Sequence, residues 1–355
     1  NIIKEDRLMI AAAGTGGHIY PGLSIAEYFY KNKYKISWVG THHGMENKLV
    51  NKTLYNFYAI KMKGVRGKGL LSWLSVPFKL FYAIIESLFF IHKAGPKYLI
   101  LMGGYVCFPI AIAGKLMGVK IIIHEQNAIP GLSNKLLAFI AKKIFLGFKN
   151  NLKNSIVVGN PIRESLYKVI DPAERFQGRK GPLRILIFGG SLGAKKFNEL
   201  LPAILSKIAK KKDLQIIHQS GEVYYNFLLK EYEKYQIKAK PIKYIHDMEK
   251  NYAWADIVIS RSGALTVSEL AEVGVASILI PFPYAVDDHQ YFNAKVLSQK
   301  DGAKIIMENQ IEDELEDYVL SLNRQKCMSM AQNAKVRKRQ EASKKIYEYL
   351  SNNEK

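Results

Sequence analysis

His18 directly follows the glycine-dense turn Gly14-Thr15-Gly16-Gly17, itself at the end of the apolar run Leu8–Ala13. An unperturbed imidazole titrates near ~6.5, so this ring can take or give a proton at neutral pH. The setting reads as a buried strand, a tight turn and the amphipathic segment Leu23–Tyr30, with the helix expected to begin at Pro21. Glycines there let a ligand come close to the backbone, and a helix start offers N–H groups to an anion or a hydroxyl. The same arrangement recurs where Arg184–Phe188 leads into Gly189-Gly190-Ser191-Leu192-Gly193-Ala194. Neither loop is the dinucleotide fingerprint, because Ile19 and Ser191 occupy positions that G-x-G-x-x-G gives to glycine.

A third junction, Ser260-Arg261-Ser262-Gly263, precedes a helix expected to start near Ala264. Its backbone N–H groups and dipole suit a diphosphate. Glu269, just over one turn further on, is placed to accept both hydroxyls of a ribose; the alternative is a plain complement to the helix dipole. Further polar strand ends are Gly103-Gly104-Tyr105 after Tyr98–Met102, and His124-Glu125-Gln126-Asn127 after Lys120–Ile123. After Ala276–Ile280 comes Pro281–Asn293, with Asp287, Asp288 and His289 in succession. These three are read as a helix-start cluster and not a metal site, since no fourth ligand is evident.

The elements that must position these residues alternate. Ile36–Val39, Tyr98–Met102, Lys120–His124 and Ile156–Val158 read as strands in the first half, with helical patterns at Leu70–His92 and Asn134–Ala141. Asn160-Pro161 closes that half and Gly178–Pro182 opens the next, whose strands are Arg184–Phe188, Leu214–His218, Asp256–Ile259, Ala276–Ile280 and Ala303–Met307. Such alternation predicts parallel sheets covered by helices on both faces. Ser329–Leu350 reads as one long helix able to return to the first domain. A length of 355 residues fits two domains, and 48% hydrophobic with 23% charged residues is globular.

The net charge of +21 is concentrated early: residues 1–160 carry 21 Lys/Arg against 6 Asp/Glu, the remainder 31 against 25. Nucleic acid, an anionic membrane surface and a merely lysine-rich composition are the three sources considered. No stripe of aromatics interleaves the basic residues and no nucleic-acid motif is present, which disfavours the first. The longest apolar stretch, Leu80–Ile91, is broken by Glu86, short of a membrane span. Cys107 and Cys327 form no metal or redox spacing, which fits a reducing cytoplasmic setting.

Taken in order, GTGGHIYPG, GVRGKG (Gly64–Gly69), MGGYV, HEQN, VGNPIR (Val158–Arg163), GGSLGA, HQSG (His218–Gly221), SRSGALTVSEL and PF…DDHQYFNA resemble the MurG family from about Leu8 to the C-terminal helix. Those enzymes are bacterial transferases that move N-acetylglucosamine from its UDP conjugate to lipid I, an undecaprenyl-diphosphate-linked muramyl peptide, giving lipid II for peptidoglycan. The resemblance implies a GT-B architecture: two Rossmann-like domains with parallel sheets, separated by a deep cleft. The acceptor domain would be 1–162, with a helix at about 340–355 packed on it, and the donor domain 163–339. It implies inverting transfer without metal or cofactor. Donor contacts would fall on Thr15, Gly16, Gly17, Asn127, Arg163 and Ser191, on the main chain of Ile245, on Ala264, Leu265, Thr266, Val267, Ser268 and Glu269, and on Gln290. Gly103, Gly104 and Tyr105 would meet the acceptor. The loop before Asp287 departs from the pattern, which loosens the register there. A transferase with a different glycolipid acceptor is the nearest alternative, and a basic nucleic-acid-binding protein a remote one.

A single displacement needs a base at the acceptor hydroxyl. His18 is the first choice, with substrate positioning as its alternative, and Glu125 is the rival base. A bilayer-bound acceptor implies peripheral docking on the cytoplasmic face of the membrane. Leu74, Phe78, Phe81 and Ile85, with Trp73 alongside, form one apolar helical stripe near Lys68 and Lys79; Lys135, Lys142 and Lys143 add charge in the same domain. Such a face suits an anionic interface, although burial against the sheet would give the same pattern.

Overall fold

The computed structural model describes residues 6–50, 53–61, 76–190, 193–336 and 339–352. The GVRGKG segment, Lys68, Trp73, Leu74 and Ser191 lie outside the described residues. The chain forms two compact units, Asn1–Ile162 with Gln340–Lys355 and Arg163–Arg339.

In the first unit β1 (Arg7–Ala12), β2 (Lys35–Thr41), β3 (Asn56–Ile60), β4 (Tyr98–Gly103), β5 (Lys120–Glu125), β6 (Lys143–Leu146) and β7 (Ser155–Val157) form one parallel sheet, ordered β3-β2-β1-β4-β5-β6-β7. Both faces are covered, so β4 is buried along its whole length. Alternate residues serve opposite faces. Ile10, Ile100, Ile122 and Phe145 pack with Ile19, Ile25 and Phe29 of the helix Gly16–Lys31 and with Ile346 and Leu350 of the helix Ala342–Asn352. Met9, Leu99, Leu101, Ile121 and Ile123 pack with Ala83 and Ile91 of Val76–Ala94, Ile110 of Cys107–Leu116 and Leu137 of Leu132–Leu137. Each fully buried side chain of this size contributes about 1.5–3 kcal/mol.

The second unit repeats the plan with β8 (Leu183–Phe188), β9 (Leu214–Gln219), β10 (Ala239–Ile242), β11 (Ile257–Ser260), β12 (Ser277–Leu279) and β13 (Ala303–Ile305), parallel and ordered β10-β9-β8-β11-β12-β13. This is the Rossmann order. Strand order reverses between β1 and β4 in one unit and between β8 and β11 in the other, and ligands of such sheets bind at the carboxyl ends of those strands.

Several sequence expectations require correction. The first helix starts at Gly16 with Thr15 as its N-cap, so Pro21 lies inside it and the Gly17 carbonyl loses an intrahelical donor. The expected tail helix is two: Arg324–Ala334 in the second unit and Ala342–Asn352 in the first. The Tyr98 hydroxyl docks the last helix by donating to the Leu350 carbonyl at 3.2 Å. The described helix expected over Leu70–His92 runs Val76–Ala94, and that over Asn134–Ala141 runs Leu132–Leu137. β3, β6 and β10 were not expected; β10 carries Pro241, tolerated because the strand lies at the sheet edge. Among the described residues no helix is long and apolar enough to cross a membrane.

Candidate active site

At the switch point of the first unit, Thr15 is exposed and its carbonyl accepts from the backbone N–H groups of His18 and Ile19 at 3.1 and 3.3 Å. The N–H groups of Gly16 and Gly17 therefore head the helix without intrahelical acceptors. The His18 ring lies over Gly103 at the end of β4. A Cβ on Gly103 would stand 2.5 Å from both Nδ1 and Cε1 of that ring, and Gly103 also has φ +132°. Gly104 has φ +93°, and a Cβ there would run into the Ala13 carbonyl. These two glycines thus give the imidazole its seat; Tyr105 beside them is half-buried.

The alternation of β5 separates the two candidate bases. His124 follows Ile122 onto the face that carries the helix Gly16–Lys31, and Gln126 continues that side, its Oε1 3.1 Å from His18 Nδ1. Glu125 follows Ile123 onto the opposite face. It is 1% exposed, and its carboxylate accepts from Asn127 N (2.9 Å), Asn127 Nδ2 (3.3 Å), Gly131 N (3.1 Å) and Asn134 Nδ2 (2.8 Å). Four donors tie the loop after β5 and the helix Leu132–Leu137 to this one side chain.

In the second unit the helix Ala264–Val273 starts from Gly263, whose carbonyl accepts from Val267 N at 3.0 Å. The N–H groups left for a ligand are those of Ala264, Leu265 and Thr266. The Val267 side chain is fully buried in the core and Ser268 is buried too, so within this run the first turn and Glu269 offer the polar groups. Glu269 is buried and accepts from the Tyr252 hydroxyl at 2.9 Å. Burial raises its carboxyl above the usual range, opposed by the neighbouring Arg163 guanidinium and by that hydroxyl. Its charge is thus matched by Arg163, not by the helix dipole alone. Tyr252, whose phenol is pushed well up by burial and by Glu269, is a partner that sequence reasoning missed, because 17 residues separate them.

Ile245 is buried, leaving its main chain as its polar face. Beside it a cavity of about 530 Å³ is lined by Glu222, Tyr225, Lys243, Tyr244 and His246. Gln290 Oε1 accepts from Phe282 N at 3.0 Å, which ties the loop to the helix His289–Ser298. Asp287 and Asp288 both adopt left-handed backbone, φ 52° and 49°, a conformation that non-glycine residues hold at a cost of order 1–3 kcal/mol each. Among the described residues no group of three or more His, Cys, Asp or Glu stands together as metal ligands.

On the outer side of the first unit, Val76–Ala94 buries Ala83, Ser87 and Ile91 but leaves Phe78 71%, Phe81 62% and Phe89 61% exposed, with Tyr82 and Ile85 between them. Packing against the sheet is therefore not the role of Phe78, Phe81 and Ile85. Leu132, Leu136 and Phe139 are exposed in the same unit, as is Lys79.

Two Rossmann-ordered units, each with helix N-termini at the strand switch point, define the class of two-domain α/β glycosyltransferases with GT-B architecture. The chain belongs to glycosyltransferase family 28: residues 8–146 match its N-terminal domain and residues 184–347 its C-terminal domain. It is 39% identical to the UDP-N-acetylglucosamine--N-acetylmuramyl-(pentapeptide) pyrophosphoryl-undecaprenol N-acetylglucosamine transferase of Nitrosospira multiformis, over 96% of this chain and 97% of that one. It is 40% identical to the Haemophilus influenzae protein of the same name, over 98% and 99%. The crystal structure of Acinetobacter baumannii MurG superposes with a TM-score of 0.84 at 33% identity, covering 98% and 99%. A UDP-GlcNAc 2-epimerase from Neisseria meningitidis, at 11% identity and TM-score 0.61, shares the fold alone.

Proposed function

We propose that this glycosyltransferase moves N-acetylglucosamine from UDP-N-acetylglucosamine to the 4-hydroxyl of the muramic acid of lipid I, giving lipid II. The full-length similarity to transferases named for that reaction supports donor and acceptor alike. In the second unit, the N–H groups of Ala264, Leu265 and Thr266 receive the diphosphate, Glu269 the ribose diol, and the Ile245 main chain the uracil. Ser191 and Gln290 complete the donor set, on diphosphate and sugar hydroxyls. In the first unit, Thr15, Gly16, Gly17 and Asn127 contribute to the donor, and Gly103, Gly104 and Tyr105 border the acceptor.

The acceptor oxygen attacks the anomeric carbon opposite the diphosphate. The C1–O bond to UDP breaks, UDP leaves with the bonding electrons, and the hydroxyl proton passes to His18, so the α-linked donor yields a β-linked product. The observation that carries this assignment is the alternation of β5. His124 and Gln126 share a side with His18, whereas Glu125 lies on the other face with its carboxylate engaged by the Asn127 and Asn134 donors, which supports His18 over Glu125 as the base. A thermal-shift titration tests the donor half. UDP and UDP-N-acetylglucosamine should raise Tm by mass action, whereas oligonucleotides should not; the reverse result would overturn the reading.

Glu269→Ala is expected to weaken UDP binding by about 2 kcal/mol, the scale of hydrogen bonds to a charged group, or roughly 30-fold in Kd by calorimetry. Unchanged affinity in the folded variant would remove Glu269 from the ribose site.

Phe78, Phe81, Ile85 and Phe89, with Lys79 beside them, are proposed to dock the enzyme on the anionic cytoplasmic face of the membrane. Because Phe78 and Phe81 are exposed, Phe78→Asp/Phe81→Asp should stay folded and bind UDP yet lose binding to vesicles containing phosphatidylglycerol. Retained vesicle binding would contradict the docking role.

A further inference from the structure

Two side chains, His124 and Gln126, form an unbroken hydrogen-bonded line into His18. His124 is fully buried, and its Nε2 lies 3.0 Å from the Gly159 carbonyl oxygen. A carbonyl only accepts, so His124 Nε2 carries the proton. Burial lowers the His124 pKa to about 4, so the ring is neutral near pH 7 and Nδ1 bears a lone pair. Gln126 Nε2 stands 3.2 Å from that nitrogen and 3.0 Å from the His124 carbonyl oxygen. Both are acceptors, which excludes the flipped amide: an oxygen there would face two lone pairs. The Gln126 oxygen therefore faces His18 Nδ1 at 3.1 Å, and that nitrogen must donate. The far end of the line is fixed as well. Gly159 has φ +91° with no room for a Cβ beside Gln340, and Asn160 Nδ2 donates to the Gln126 carbonyl at 3.0 Å.

We propose that Gln126 is a positioning residue, oriented by His124, that holds His18 in the Nδ1–H tautomer so that its lone pair sits on Nε2. The tautomer follows from the acceptors alone; its value in turnover rests on His18 being the proton acceptor. A neutral histidine free of such a partner prefers the proton on Nε2, which would leave the base with its lone pair turned toward the sheet. Fixing the tautomer of a catalytic imidazole through a neighbour on its other nitrogen has large effects on rate in other enzymes.

Side-chain 15N spectra of histidine-labelled full-length protein at pH 8 test this, with the His18 signal assigned by its loss in His18→Ala. The wild type should show a protonated Nδ1 and an unprotonated Nε2; the opposite pattern overturns the relay. Gln126→Met, which keeps the volume but removes all three amide hydrogen bonds, should shift His18 toward the Nε2–H form. It should also lower kcat about 10- to 100-fold with the donor KM within about twofold. A switched tautomer with unchanged kcat would overturn the positioning role. If Gln126→Met fails to fold, the wild-type spectrum still decides the tautomer. If His18→Ala keeps its turnover, the base assignment falls, while the spectrum judges the relay separately.

Discussion

His18→Ala is expected to lower kcat by about 10²–10⁴-fold, the range for losing a general base, and to leave UDP affinity within about twofold. The asymmetry is expected because His18→Ala leaves the backbone N–H groups of Gly16 and Gly17 in place and touches none of the donor contacts proposed in the second unit. His18 belongs to the first unit, at the ends of β1 and β4, whereas Glu269, Arg163 and the helix Ala264–Val273 belong to the second. Calorimetric UDP binding beside single-turnover transfer separates the two effects. Glu125→Gln should behave differently. It removes charge from a clamp that holds Gly131 and Asn134, so its damage should appear in stability before chemistry. Near-normal turnover in folded His18→Ala would pass the role to water.

The second large effect is on stability. Asp256 is fully buried just ahead of β11 and anchors Arg179 at 2.7 Å, Arg324 at 3.0 Å and the Arg184 backbone N–H at 3.0 Å. Asp256→Ala would leave the Arg179 and Arg324 guanidinium groups with backbone carbonyl partners but no counter-charge, and removing one partner of a buried ion pair costs about 3–5 kcal/mol. For a unit of this size that lowers Tm on the order of 10 °C, read by calorimetry. Because Asp256 sits at the end of β11 away from Ser260, the donor helix itself is untouched. Saturating UDP should therefore recover part of the lost Tm. A Tm within about 2 °C of wild type would show that the backbone carbonyls alone suffice for the two arginines.

The strands that seat the site were legible because parallel strands buried on both faces read as unbroken apolar runs, as in β1, β4, β5 and β8. Gly14, Gly103, Gly104, Gly190 and Gly193 were legible as turn points, and all five have positive φ. β10 was not, since Lys240 and Pro241 interrupt its pattern and only its edge position permits them. The tail misled for a similar reason. Helical periodicity continues through Lys335–Glu341, but periodicity is local and carries no sign that the chain passes there from one unit to the other. Glu125 stood as a rival base to His18 because the sequence shows two titratable groups at two strand ends. Only the register of β5 separates them, and period-2 alternation from Ile122 was the signal that could have done so. The Gln126 line was invisible for want of Gly159, 35 residues beyond His124.

Labelled sugar transfer from UDP-N-acetylglucosamine to a synthetic lipid I analogue reads out the proposed reaction itself. The expected result is a lipid-linked β-disaccharide, formed with one UDP released per sugar moved and lost in His18→Ala. Release of free sugar or epimerised donor, with no label on the lipid, would contradict it.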